Sequence, residues 1–277
     1  MTAPFSVLLP VYRRDDPVHL ERSFTSVTSE QELPPTEVVV VRDGPVGPEL
    51  TKVLDALVAS SPVPVTVVPL ERNEGLAIAL RQGMEACSYE IVARQDADDV
   101  SRPARFAVQV PLVEQGLDIV GSAIEEFDEE PALGAPAHGM VRTPPLTQAE
   151  IARAVGFRSP FNHPSVVYRR SAVTRAGGYQ DLPLMEDYWL FARMISLGMA
   201  TGNVREPLVL YRVGAGAYAR RGGIRLLRSE LELQRRMYTL GVTSALECAR
   251  NVVLRGGYRL VPEGLRRRAY RADAMRR

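Results

Sequence analysis

Four times in the first hundred residues the chain runs through a short apolar segment and breaks off at a polar turn. The segments are FSVLLPVY (5–12), TEVVVVRD (36–43), VPVTVVPL (63–70) and YEIVARQD (89–96). Short runs that are apolar throughout suit strands buried on both faces. Between them lie stretches of helical character. One helix is expected over 17–30, opened by Asp15 or Asp16 ahead of Pro17, and another over 48–59. A third is expected over 76–87, capped by Asn73-Glu74-Gly75. Pro103 is read as the start of a fourth helix, and LDIVGSAIEEF (117–127) as a further strand. Strands that alternate with helices pair in parallel through right-handed crossovers. The expected class is therefore α/β, a mainly parallel sheet flanked by helices. Prolines around the third run place it near a sheet edge.

A sheet of this kind binds ligands beyond the carboxyl ends of its strands. Those ends carry Pro10-Val11-Tyr12, Asp43, Asn73 and the run Asp96-Ala97-Asp98-Asp99. Three carboxylates within four positions repel one another, and a hard cation relieves the repulsion. Mg²⁺ or Mn²⁺ held by one or two carboxylates, with phosphate oxygens in the same shell, fits such a cluster. Arg94 precedes Asp96 by two residues and shares its side of the strand. It either pairs with the cluster or reaches a phosphate.

Several classes are excluded. No GxGxxG opens a helix after a strand and no GxxxxGK[ST] occurs, which removes the dinucleotide and P-loop readings. Nucleotidyl transfer would need a glycine-rich loop after the first strand, where VYRRDD stands instead. Cys87 and Cys248 show no ligand spacing and are read as reduced thiols. The first residues lack the pattern of a secretory signal, and no apolar run reaches the roughly 18 residues of a membrane span. The expected location is the cytoplasm, with peripheral contact to the cytoplasmic face of the membrane left open.

The ordered set VLLPVY (7–12), VVVVRDG (38–44), ERNEGLAIALRQG (71–83), ARQDADD (93–99), NHPSVVYRR (162–170), AGGY (176–179), MEDYWLFARM (185–194) and EPLVLYR (206–212) resembles the inverting nucleotide-sugar glycosyltransferases of family two, which have the GT-A fold. With YARRGG (218–223) and the tail beyond it, the chain is similar to the amylovoran-type branch that builds bacterial exopolysaccharide or capsule units. The resemblance implies transfer of a hexose from a UDP-sugar to a carbohydrate acceptor, lipid-linked or a polysaccharide precursor, with inversion. It implies that Pro10 and Tyr12 pack on the base, that Asp43 accepts from the base imide, and that Asn73 and Gly75 line the base and ribose pocket. Asp96 and Asp98 match the DxD motif, with Asp98 and Asp99 nearest the ribose and the metal, Mn²⁺ or Mg²⁺. Asp187 is implied as the base and Glu186 as a contact to sugar hydroxyls. Trp189 would stack on a sugar ring or pack in the core. His163 would touch the acceptor or make a structural hydrogen bond.

Two departures matter. No histidine follows His163, so the third metal ligand stays open: either water fills that position, or Arg212, Arg220 or Arg221 neutralises the diphosphate instead. The QxxRW motif of processive synthases is absent, which implies a single addition. A catalytically degenerate nucleotide-sugar-binding scaffold is the alternative.

Residues 1–215 are expected to form the catalytic domain, 1–127 binding nucleotide and 128–215 the acceptor, with a loop or lid over 128–147. Residues 216–277 are expected as basic helices interrupted at Gly241, Gly256-Gly257 and Pro262. The net charge is +1, yet the chain from Arg220 onward holds 15 arginines against 5 acidic residues. Such a tail fits an anionic membrane, or else packs on the body or on a homodimer partner. Nucleic acid is not expected, because no recognition motif accompanies the charge.

Overall fold

The computed structural model describes residues 2–128, 139–213 and 223–261, together with 130, 131, 133 and 137. The first half alternates as the pattern predicts: β1 (Phe5–Tyr12), α1 (Pro17–Val27), β2 (Glu37–Asp43), α2 (Pro48–Ser60), β3 (Val65–Pro69), α3 (Leu76–Ala86) and β4 (Ile91–Arg94). A two-residue strand β5 (Val100–Ser101) follows, then α4 (Arg105–Glu114) and β6 (Ile119–Phe127). The second half holds β7 (Val141–Arg142), α5 (Gln148–Ala154), β8 (Val167–Arg169), α6 (Arg170–Arg175), α7 (Glu186–Ser196) and β9 (Thr201–Arg212). The described residues close with α8 (Ile224–Thr239), α9 (Ala245–Asn251) and α10 (Gly257–Leu260).

The sheet runs β3-β2-β1-β4-β8-β6-β9-β5, with β7 beside β6. From β3 to β4 every pairing is parallel, and β3 is the edge strand its prolines predict. Beyond β4 the sheet is mixed, since β8 inserts antiparallel between β4 and β6. Alternate residues of the strands serve opposite faces. Phe5, Val7, Leu9 and Val11 of β1 pack with α1, α2 and α4 on one side. Leu8, with Val39 and Val41 of β2, packs with α3, α6 and α7 on the other. Helices therefore cover both faces, and only the strand ends remain to build a site.

Some boundaries differ from expectation, each for a local reason. The helix expected over 17–30 starts at the cap Asp16, whose side chain accepts from Val18 N and His19 N, and stops at Val27. There Thr28 turns its hydroxyl back onto the Phe24 carbonyl at 2.8 Å, and the turn ends. The helix expected from Pro103 begins two residues later, after a turn in which Arg105 N donates to the Arg102 carbonyl at 3.0 Å. β8 is only three residues long because His163–Ser165 before it form a 3₁₀ turn. β9, by comparison, runs for twelve residues, since it pairs with β6 along that strand's whole length.

The break expected at Gly256-Gly257 does not occur. The helix continues through a π turn at Val252–Gly256. Gly256 is buried where a Cβ would lie 3.3 Å from a Leu227 methyl, so the glycine serves close packing. Arg255 and Arg259, on either side of the pair, both bind buried Glu230. The break at Gly241 is real, with φ +77° at the end of α8. Pro262 lies outside the described residues, as do Arg220 and Arg221.

The described part of the basic segment shares a core with the body. Leu226, Leu233 and Met237 of α8 pack with Val155, Leu182, Met185, Tyr188, Trp189 and Ala192.

Candidate active site at the carboxyl edge of the sheet

The turn Gln95–Asp99 leaves β4 and is fastened at both ends. Gln95 N donates to the Leu8 carbonyl at 2.9 Å, and β5, just beyond the turn, pairs with β9. Ser23 Oγ donates to the Asp96 carbonyl at 2.6 Å, and Gln95 Nε2 reaches the Asp99 carbonyl at 2.8 Å. Beneath it lies Arg105, fully buried, donating to Gln95 Oε1 (2.7 Å), Ser101 Oγ (2.8 Å), Arg94 O (2.7 Å) and Pro164 O (3.1 Å). Burial and the neighbouring Arg94 guanidinium lower its pKa to about 9. No local pattern marks this arginine's role, because it depends on how the turn and the Pro164 carbonyl fold over it.

Ligand atoms of Asp96, Asp98 and Asp99 all lie within 4.8 Å of one another. Their charges are managed differently. Asp96 accepts from both Nη1 and Nη2 of Arg94, itself 2% exposed. Of the two roles open to Arg94, it makes the ion pair. Asp99 is fully buried, and burial with the adjacent Asp98 and Asp96 charges raises its pKa well above the ordinary value. Its Oδ1 accepts from Arg212 N at 2.9 Å, while its buried Oδ2 has no hydrogen-bond partner among the described residues. An orphaned carboxylate oxygen beside two further carboxylates is a donor set that suits a hard divalent cation. Arg212 Nε also holds the Asp98 carbonyl at 2.9 Å, and its guanidinium lies 4.4 Å over the Phe127 ring. Arg212 thus closes the end of β9 onto the turn.

Asp15, expected only as a helix start, belongs to this cluster. It accepts from Tyr12 N at 2.8 Å, and burial, with Asp98 and Asp96 nearby, raises its pKa to about 7. The helix cap itself is Asp16.

At the end of β2, Asp43 is 5% exposed and ties down the loop before α3. Its carboxylate accepts from Asn73 Nδ2 (2.8 Å), Glu74 N (2.7 Å) and Gly75 N (3.0 Å). Asn73 is therefore a partner of Asp43, and its side chain does not cap α3. Gly44 has φ +83°, and a Cβ there would meet Asn73 N at 2.4 Å, so the two loops touch only because residue 44 is glycine. Pro10 is buried and Tyr12 half-buried at the end of β1, next to this loop's strand.

Glu186 and Asp187 begin α7, where acids are favoured by the helix dipole. The approach is strained: Leu184, half exposed, sits at φ +66°. Burial and Asp187 raise the Glu186 pKa to about 7. Burial also raises Asp187, opposed by the Tyr188 N–H and by Arg94. Arg94 thus acts electrostatically on both carboxylate groups, Asp96 directly and the Glu186-Asp187 pair through space.

The surroundings of His163 and Trp189 do not support the acceptor contacts expected of them. His163 is buried, shares a 2.9 Å hydrogen bond with Tyr179 Oη, and stands edge-on to Phe191. Burial and Arg94 push its pKa well down, so it is neutral. Trp189 is 7% exposed, donates Nε1–H to Gln180 Oε1 at 2.9 Å, and packs in the cluster that joins α7 to α8. Core packing prevails at Trp189 because α8 covers the face where a sugar would stack.

The comparisons agree with this geometry. The family model described as glycosyl transferase family 2 matches residues 6–177. The chain is 36% identical over 273 residues to the amylovoran biosynthesis glycosyltransferase AmsE of Erwinia amylovora, covering 97% of this chain and 98% of that one. It is 32% identical over 272 residues to the UDP-Gal:alpha-D-GlcNAc-diphosphoundecaprenol beta-1,3-galactosyltransferase of Escherichia coli, covering 98% and 96%. Among solved structures it is similar to S. aureus TarS 1-349 in complex with UDP-GlcNAc, with a TM-score of 0.65 at 16% identity over 91% of this chain and 72% of that one. It is also similar to the mannosyltransferase PcManGT of Pyrobaculum calidifontis in complex with GDP-Man and Mn2+, with a TM-score of 0.61 at 17% identity over 99% and 81%. The fold is GT-A-like, and the chain is a glycosyltransferase belonging to glycosyl transferase family 2.

Proposed function

We propose that the protein transfers a hexose from a UDP-sugar to one hydroxyl of a lipid-linked or polysaccharide-precursor glycan, once per acceptor, with inversion. One observation carries the reading. A carboxylate trio with an orphaned oxygen and a second carboxylate pair meet at the carboxyl edge of one sheet, with Arg94 acting on both.

In this reading Pro10 and Tyr12 flank the base. Asp43 holds the Asn73–Gly75 loop, and the capacity left on its Oδ1 accepts from the base N–H. Asp98 and Asp99 would hold Mn²⁺ or Mg²⁺, which when bound supplies positive charge against the diphosphate. Asp96, already neutralised by Arg94, orients the turn. Asp187 accepts the acceptor hydroxyl's proton as that oxygen attacks the anomeric carbon opposite the departing diphosphate. Glu186, with its pKa near neutrality, donates to a sugar hydroxyl while protonated. Residues 1–127 serve the donor and 128–215 the acceptor. The names of the two relatives, one from amylovoran synthesis and one acting on a diphosphoundecaprenol-linked sugar, support the acceptor class.

The test is Asp187→Asn. Turnover measured by UDP release should fall about 10²- to 10⁴-fold, while calorimetry shows UDP-sugar affinity unchanged. Normal turnover would place the base elsewhere, and lost donor binding would place Asp187 on the donor side.

A further inference from the structure

The helical run 245–260 is amphipathic in the reverse sense. Its inward face is polar: Asn251 Nδ2 donates to Gly156 O (2.7 Å) and Gln234 Oε1 (2.9 Å), and Arg255 and Arg259 converge on fully buried Glu230. Its outward side is mainly apolar, with exposed Arg250 among the apolar residues and exposed Glu247 at their flank. Leu246, Val253, Leu254 and Leu260 are 81%, 71%, 55% and 61% exposed. Leu246 and Val253 stand seven residues apart, about two helical turns, and Leu254 follows Val253, so the three share one side with exposed Arg250, forming one ridge. Scattered exposed apolar residues are ordinary, but a contiguous ridge marks a contact surface. The chain beyond it, 262–277, holds six arginines against two acidic residues. No described helix is long and apolar enough to cross a membrane.

We propose that this ridge docks the protein on an anionic lipid bilayer. The leucines and the valine enter the boundary between headgroups and acyl chains, and the arginines of the following segment supply charge complementary to lipid phosphate. Polar inward contacts let the helix hold to the body while its apolar side stays free. The same unit touches the neighbour of the proposed base: the Arg255 guanidinium lies 5.4 Å over the ring of Tyr188, the residue after Asp187. The purpose, access to a lipid-linked acceptor, rests on the proposed transfer reaction. The binding itself does not, and is measured without turnover.

The full chain is sedimented at low salt with vesicles of phosphatidylcholine alone or mixed with phosphatidylglycerol. Binding is expected to the mixed vesicles only and to weaken as salt rises. The triple variant Leu246→Ser/Val253→Ser/Leu254→Ser should lose on the order of tenfold in partitioning while melting like the parent. If it melts early, Leu246→Ser alone carries the same test, since that side chain touches least. Arg266→Glu/Arg267→Glu/Arg268→Glu should weaken binding to mixed vesicles by a similar factor. Absence of binding to mixed vesicles overturns the proposal, as does a triple variant that partitions like the parent. A parent that dimerises through the ridge, with the dimer lost in the triple variant, would assign the ridge to a second copy and likewise overturn it. Transfer to a soluble acceptor should be the same in parent and triple variant, which separates this outcome from failure of the transfer reading.

Discussion

Arg94 donates to Asp96 through both Nη atoms from a position only 2% exposed, and the pair stands where β4 opens into the turn of the carboxylate cluster. A planar guanidinium facing a carboxylate in this way fixes orientation as well as charge. One of the three clustered acids is thereby neutralised within the protein. The remaining charge problem falls on Asp98 and Asp99, and it is there that a buried oxygen lacks a partner.

Asp99→Asn should leave the metal-free protein as stable as the parent or more so, because it removes a carboxylate whose ionisation burial opposes. Stabilisation by Mn²⁺ should disappear in the same variant. For the parent, a cation at about 100 times its Kd adds about 2.7 kcal/mol, a rise of roughly 5–10 °C for a chain of this size. Differential scanning fluorimetry with and without Mn²⁺ reads both effects. A variant that keeps the full Mn²⁺ shift would remove Asp99 from the metal site.

Glu186 gives stability a definite pH slope. Its pKa rises from the ordinary 4.5 to about 7 in the folded protein. Between those values the folded state keeps a proton that the unfolded chain releases, so stability falls as pH rises through this window and levels off above it. Glu186→Gln removes that contribution. The melting temperature of the variant relative to the parent should climb from pH 4.5 to 7 and then stay level. Asp15 has the same direction of shift, but it is present in both proteins and cancels in the comparison. A difference that does not change with pH would contradict the assignment.

Trp189→Ala should act on folding. The side chain is 7% exposed and joins α7 to α8, so truncation should cost about 3–5 kcal/mol in urea unfolding. The KM for acceptor, measured where the variant is folded, should change by no more than a few fold, a difference worth less than about 1 kcal/mol, since a core side chain makes no contact with the acceptor. A large rise in KM with unchanged stability would restore the sugar-stacking role.

Arg105→Met should be more damaging than any substitution of an exposed arginine. It leaves the acceptors at Gln95, Ser101, Arg94 and Pro164 without their donor, in a fully buried place. Breaking a buried charged network in this way costs about 3–5 kcal/mol. Arg105→Lys keeps the charge but lacks the five-donor fork, so it should recover only part of the loss. Urea denaturation measures both, and a cost below about 1 kcal/mol for Arg105→Met would mean the turn is held by its other bonds.

The apolar runs at 5–12, 36–43 and 89–96, with helical stretches between them, determine a parallel β-α alternation, because period and length are local properties that one strand or one helix displays by itself. The same holds for the place of Asp43, Asn73, Asp96–Asp99 and Glu186-Asp187, each at the end or start of an element. Only the tertiary structure decided what those side chains touch. Arg94 had two partners open in sequence and takes Asp96. Asn73 could cap a helix and instead binds Asp43. Asp15 joins the carboxylate cluster although nothing near it in sequence distinguishes it from Asp16. His163 and Trp189 are buried by Tyr179, Gln180 and α8, contacts made by segments that the local pattern cannot bring together. The glycine pair at 256–257 reads as a break, yet Leu227 and Glu230 from another helix carry the backbone through it. Local periodicity encodes which elements form. Side-chain partnership depends on distances across the sheet and between helices, and those exist only once the layers have packed.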